Sequence, residues 1–398
     1  MRAASPTWTT AATRLLALTQ MVEPFRAFRG RTPAAVHALV DALPDILFGR
    51  LRRASERLSL AVEVFRTDDL APISAPERRL SEAAARGLRV LDDVNQFDPR
   101  LEEVLAQLDA LGFRYDRLVA QATRAVRHRY RGEEGLAKAT ERAMEPESVA
   151  LGSWSTDVQN LYFAHPAYAR TSDVDGLQRW LEHLERVLAQ GFRVEARVAC
   201  ARGDLRRARG ESDEACAVLR AALAAVAPRD LLMRRGMGSS LAEAELAAGS
   251  PDRVLAASAE VLSVGDREPD AAIVLPRLRA SRVRGLALLA RGRTEEASAT
   301  LEPALAVAET LDVPSLAGLL HEARARVALA EEDRVTYLLH CAEAERHLRP
   351  TENPILVAIL DRLVSAGASA DMPDPDRVTA SAPDDATVAQ GSRSHASR

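Results

Sequence analysis

The chain has 398 residues, of which 47% are apolar, 28% charged and only 4% aromatic, with a formal net charge of -4. Enough apolar side chain is present to bury a core, while the near-neutral balance excludes a strongly basic nucleic-acid binder and an acidic disordered chain. Scarce aromatics argue for helices over β-rich domains.

Residues 1–13 are rich in Thr and Ala, and the adjoining apolar stretch 15–18 is too short for a secretory leader core. No run approaches the length of a membrane span. Three cysteines, Cys200, Cys216 and Cys341, are too few and too scattered for a disulfide framework or a zinc knuckle. A reducing cytoplasm is the expected location. Residues 1–114 predict an irregular helical region, with amphipathic stretches at 14–28, 33–47, 49–65, 77–94 and 99–111 and a proline-bearing break at 68–76. This region is expected to be either an atypical cap on the remainder of the chain or a set of diverged repeats.

From residue 115 to 367 a unit of about 40 residues recurs. Its clearest copies are Leu289-Ala290-Arg291-Gly292-Arg293-Thr294, Arg207-Ala208-Arg209-Gly210-Glu211-Ser212 and Leu246-Ala247-Ala248-Gly249-Ser250-Pro251. Anchors at 132, 172, 210, 249, 292 and 330 are 40, 38, 39, 43 and 38 residues apart. Each anchor lies between two helical patterns, so each unit predicts helix–turn–helix, with glycine suited to the left-handed position that ends a helix. Ser212, Ser250 and Thr294 stand where an N-cap is wanted. Pro228, Pro269, Pro314 and Pro350 mark the unit boundaries. Seven residues before the anchors lie Ala125, His165, Gly203, Ala242, Gly285 and Ala323, nearly all small. Twelve after them lie Met144, Leu184, Ala222, Val261, Ala304 and Ala342, all apolar. Small residues at fixed places let helices approach closely. Residues 368–398 lack periodic apolar positions and predict a disordered tail.

Gly285, Leu288, Gly292, Ala297, Leu301 and Ala304, with Gly203, Gly210, Ala215, Leu219 and Ala222 two units earlier, fall at the spacing of tetratricopeptide repeats. The chain resembles a long-unit form of that family, like the arrays in bacterial signalling ATPases, maltose-regulator-type activators and regions behind bacterial Ser/Thr kinase domains. The resemblance implies an all-α, right-handed superhelical solenoid of antiparallel helix pairs. It also implies a non-enzymatic scaffold that presents a concave groove to a protein or peptide partner. The alternative it leaves open is the regulatory or sensor portion of a signalling protein whose catalytic or DNA-binding part lies elsewhere. In such arrays the first helices line the groove. Carried over, the groove positions are Gln159, Tyr162, Arg197, Asp204, Arg207, Ser239, Glu243, Arg279, Arg282 and Arg324. That set is mildly basic, so an acidic peptide segment is the expected ligand.

Catalytic and cofactor motifs are absent. Lys138 is the only lysine, and no phosphate-binding Gly-Lys-Ser/Thr loop surrounds it. No kinase motif set, Gly-x-Ser-x-Gly elbow or zincin motif occurs. No catalytic residue, cofactor or metal is expected. His340, Cys341 and His347 share one predicted helix, and a metal there would need further ligands, His321 being the candidate; packing is the expected role. Trp154, Tyr162, Phe163, Tyr168, Trp180 and Phe192 form an aromatic cluster in sequence, expected to be core. Arg277, Arg279, Arg282, Arg284, Arg291 and Arg293 predict a solvated face answered by Glu295, Glu296 and Glu302.

Overall fold

The computed structural model describes residues 31–47, 51–66, 101–110, 114–150, 166, 168–189, 194–228, 230–267, 274–311 and 313–369. The amphipathic stretches at 14–28 and 77–94, the break at 68–76, His165 and the tail from 370 onward lie outside the described residues. Among the described residues every α or β element is a helix. In chain order they are α1 (Arg31–Leu47), α2 (Leu51–Arg66), α3 (Leu101–Ala110), α4 (Arg114–Arg131), α5 (Glu134–Ala150), α6 (Val174–Ala189), α7 (Glu195–Ala208) and α8 (Ser212–Ala225). There follow α9 (Leu231–Ala247), α10 (Pro251–Arg267), α11 (Val274–Ala290), α12 (Thr294–Ala308), α13 (Pro314–Ala330), α14 (Arg334–Leu348), a short 3-10 turn (Arg349–Thr351) and α15 (Pro354–Ser369). None of the described helices is long and apolar enough to cross a membrane.

The chain is an all-α solenoid of helix pairs. Among the described residues six turns join the two helices of a pair, and all six have the same geometry. Gly132, Ser172, Gly210, Gly249, Gly292 and Glu332 each hold a positive φ between 49° and 84°. At each, the amide of that residue donates to the carbonyl three back, and the next amide donates to the carbonyl five back. Gly210 N meets Arg207 O at 3.0 Å and Glu211 N meets Arg206 O at 2.9 Å; in the last unit Glu332 N meets Leu329 O at 3.3 Å and Asp333 N meets Ala328 O at 3.0 Å. These two hydrogen bonds satisfy carbonyls that a helix end leaves orphaned.

The last anchor therefore stands at Glu332, not at 330. The shift moves the small position of that unit to Ala325 and its apolar position to Ala344, both fully buried, whereas Ala342 is exposed. The capping expectation is corrected for Ser212 and Thr294, whereas Ser250 directly precedes Pro251 and its carbonyl accepts from Val254 N at 3.1 Å, the N-cap position of α10. Ser212 and Thr294 lie one residue inside their helices, behind Glu211 and Arg293, and neither cap uses a side chain. Side-chain caps come instead from Asp230, which accepts from Met233 N, and Asp333, which accepts from Thr336 N. Pro314 opens α13, where its missing donor costs nothing.

Gly203 and Gly285 have a packing role. A β-carbon on Gly203 would lie 2.5 Å from Leu219 Cγ, and one on Gly285 would lie 2.7 Å from Leu301 Cγ. In both units the leucine stands nine residues past the turn, so the two helices of a pair meet glycine to leucine. One apolar cluster continues from Leu101 on α3 to Val327 on α13. A separate cluster, Ala35, Leu58, Ala61 and their neighbours, is shared by α1 and α2.

Two layers result. The first helices α7, α9, α11 and α13 touch one another in succession, while no contact of similar extent joins consecutive second helices among the described residues. The first helices thus form the inner layer. That layer curls until its ends meet: α4 touches α13, Ser315 Oγ donates to Tyr130 O at 2.5 Å, and the Gly132 turn packs against Thr351.

Candidate functional site

The inner layer carries two linked sets of polar side chains where a simple bundle would be apolar. Asp204 on α7 is fully buried, and its Oδ2 accepts from Ser240 Oγ of α9 at 2.8 Å. Arg279 on α11 forms a bidentate pair with Glu243 on α9, both nitrogen–oxygen distances being 2.8 Å, and Arg279 also reaches Ser240 Oγ at 3.4 Å. Arg207 lies 3.5 Å from Glu243 and donates to Ala169 O at 2.5 Å. Arg282 donates to Glu322 of α13 at 3.0 Å and to Leu319 O at 3.1 Å. Arg326 meets the other oxygen of Glu322 at 2.5 Å.

The electrostatics follow from burial and pairing. Burial alone pushes the Glu243 carboxyl up, but Arg279 and then Arg207 outweigh it, and the group sits below the ordinary carboxylate value. Burial lowers the Arg279 guanidinium, and Glu243 more than reverses this. Arg170 differs from both. It is 9% exposed, and one of its nitrogens donates to Arg129 O at 2.9 Å. Its guanidinium carbon lies 4.2 Å from the centre of the Tyr130 ring. Its Nε and Nη1 are buried without a hydrogen-bond partner among the described residues. Burial, with Arg279 adding repulsion, pulls it down to about 10, so it remains charged at neutral pH. Glu243 and Glu134 attract the guanidinium without bonding those two nitrogens, and buried donors left without an acceptor are costly.

The expected groove residues are thus placed as follows. Asp204, Arg207, Glu243 and Arg279 come together on α7, α9 and α11, and Arg282 stands one turn along α11 against Glu322, whereas Ser239 is buried on α9 and its hydroxyl donates to Arg235 O and Gly236 O of its own helix. Arg197 is half-buried on α7. Gln159 and Tyr162 lie outside the described residues. Moving the last turn to Glu332 puts the equivalent positions of α13 at Glu322, which pairs with Arg282, and Arg326, which pairs with Glu322. Arg324 instead bonds Glu302 of the preceding second helix at 2.8 Å and Glu331 at 3.3 Å. The solvated arginine face is corrected for Arg279, which is buried on Glu243, and for Arg282; Arg293 does pair with Glu296, at 2.6 Å. Tyr130, Arg170, Ser240 and Glu322 join the site without any motif in the sequence to mark them.

A second cluster lies where α12, α13 and α14 meet. His321 Nδ1 is 2.8 Å from His340 Nδ1, and its Nε2 is 2.8 Å from Glu309 Oε1. His347 Nε2 is 3.2 Å from the same oxygen, and its ring stacks on His321 with centroids 5.8 Å apart. The structure thus brings His321, His340 and His347 together. Burial, with His321 and Arg324 adding to it, pushes His340 down to about 4, and burial with Arg346 lowers His347, so both imidazoles are neutral at pH 7. Cys200 and Cys216 are buried free thiols, Cys341 is a partly buried one, and burial raises Cys216 to about 11. Of the aromatic cluster, Tyr168 is buried under Arg129, whose guanidinium carbon is 4.1 Å from the ring centre, and Trp180 packs on the main core. Trp154, Tyr162, Phe163 and Phe192 lie outside the described residues.

No protein-family model matches the sequence, and no curated protein matches it. The fold does match a solved structure, described as "Crystal Structure of Rap Protein Complexed with Competence and Sporulation Factor". The TM-score is 0.55 at 10% sequence identity, and the match covers 84% of this chain and 97% of that one. At that identity the likeness establishes a shared fold.

Proposed function

We propose that this chain is a non-enzymatic binding scaffold whose inner face receives an acidic segment of a protein or peptide partner. The observation that carries the proposal is Arg170, a buried cation at the inner layer with two nitrogens, Nε and Nη1, that lack a hydrogen-bond acceptor among the described residues. A carboxylate presented by a partner would accept a charge-assisted hydrogen bond from either of them. Arg207, Arg279 and Arg282 continue the cationic set along the inner helices and are held by Glu243 and Glu322. Buried pairs of this kind add little net stability compared with apolar packing, so a layer built from them is better explained by recognition. The solved structure of the same fold holds a bound factor, which supports this use of the architecture.

Arg282→Gln tests the reading without emptying the site, because Arg326 still neutralises Glu322. Affinity capture from the native host, followed by measurement of the captured partner's affinity, is expected to show weaker binding to Arg282→Gln and binding that falls with salt. Equal affinity for both proteins at all salt concentrations contradicts the reading.

A further inference from the structure

The cluster at the α12–α13–α14 junction plays no part in the inner-face network. Glu309 ends α12, His321 lies on α13, and Glu343 and His347 lie on α14 one turn apart. One ligand atom from each of these four residues lies within 4.8 Å of the other three. Two imidazole nitrogens and two carboxylate oxygens form a donor set suited to a borderline divalent ion, and four such donors fit the tetrahedral preference of zinc. Calcium and magnesium prefer all-oxygen shells.

Arg346 reveals where a cation would sit. Its Nη2 is 2.6 Å from Glu343 Oε2, 3.0 Å from His347 Nε2 and 3.5 Å from Glu309 Oε2. One positively charged nitrogen therefore faces donors from three of the four residues. Arg346 is itself 57% exposed on a flexible stem, and exposed pairs of this kind are weak. It can swing away when a stronger cation arrives. His340 completes the arrangement from behind. A zinc-bound imidazole donates its second N–H to a neighbouring acceptor, which fixes the ring. With zinc on His321 Nε2, its Nδ1–H points at His340 Nδ1, 2.8 Å away.

We propose that Glu309, His321, Glu343 and His347 form a zinc site that clips the end of α12 to α13 and α14, with His340 as the positioning residue behind His321. The site ties the fifth helix pair to the sixth, and zinc bound there stabilises the junction by mass action.

The test uses the full chain, with zinc titrated against a chromophoric chelator and circular dichroism confirming the fold of each variant. Wild type is expected to bind one zinc tightly. His347→Ala and Glu343→Gln, whose sites are partly exposed, are expected to weaken it at least about tenfold. Arg346→Ala is expected to tighten it severalfold by removing the competing cation. Cys341→Ser is expected to leave it unchanged. Cobalt in place of zinc is expected to give the intense visible bands of a four-coordinate site, lost in His347→Ala. Wild type that binds no zinc overturns the proposal. So does equal affinity in His347→Ala and Glu343→Gln, unchanged or weaker binding in Arg346→Ala, or loss of the site in Cys341→Ser.

Discussion

Gly285 faces Leu301 so closely that a methyl group at 285 would stand between 2.7 and 2.9 Å from three carbons of the leucine. The helix pair α11–α12 is set by that contact. Gly285→Ala gains about 1 kcal/mol of helix propensity and loses about 1–3 kcal/mol to overpacking. The net expectation is a destabilised protein, with Gly285→Leu worse. Denaturant unfolding checks this, and Leu301→Ala added to Gly285→Ala is expected to cost less than the two single changes summed.

The turns separate backbone strain from packing. Gly292 has φ +71° and open space around the position of an added β-carbon. Gly292→Ala therefore tests conformation alone and is expected to cost about 1–2 kcal/mol. Glu332 holds φ +58° with a side chain that can strain it. Glu332→Gly is expected to stabilise by about 1 kcal/mol. Opposite signs at these equivalent positions, read from thermal melts, confirm a common turn geometry; equal signs refute it.

The Glu243–Arg279 pair makes a prediction about acid. Glu243 titrates below its ordinary value in the folded chain, so its contribution is present above the unfolded carboxyl value of about 4.3 and is lost as pH falls through the lower folded value. Glu243→Gln leaves Arg279 buried without its partner and is expected to cost about 3 kcal/mol at pH 7. The gap between wild type and variant is expected to narrow below about pH 4. A gap that is constant from pH 7 to pH 3 in urea titrations contradicts this assignment.

The repeat is legible in the sequence because glycine occupies four of the six left-handed turn positions, at 132, 210, 249 and 292. The last turn is displaced by two residues from its expected place because Glu332 fills a position that chemistry normally reserves for glycine. That displacement points to Arg324 on α13 where the structure has Glu322 and Arg326. The arginine run on α11 reads as solvated because Glu295, Glu296 and Glu302 lie close in sequence, whereas Arg279 finds its carboxylate 36 residues away. Helical period identifies which face a residue occupies, but it does not say which residue of the neighbouring unit faces it. Tyr130, Arg170 and Ser315 escape the sequence for a related reason. They meet through the curl that brings α4 to α13, and curvature accumulates from small rotations at every junction.

Arg170→Met decides whether the inner layer serves binding or folding. Methionine keeps the stem over Tyr130 and removes a buried charge with two nitrogens that lack a hydrogen-bond acceptor among the described residues. The decisive measurement is the affinity of the partner captured by wild type for Arg170→Met, determined at a temperature where both proteins are folded. Binding is expected to be lost or weakened by at least about tenfold, which corresponds to about 1.4 kcal/mol, while the melting temperature holds or rises. Full affinity in a variant that melts early would show instead that Arg170 holds the fold and that recognition lies elsewhere.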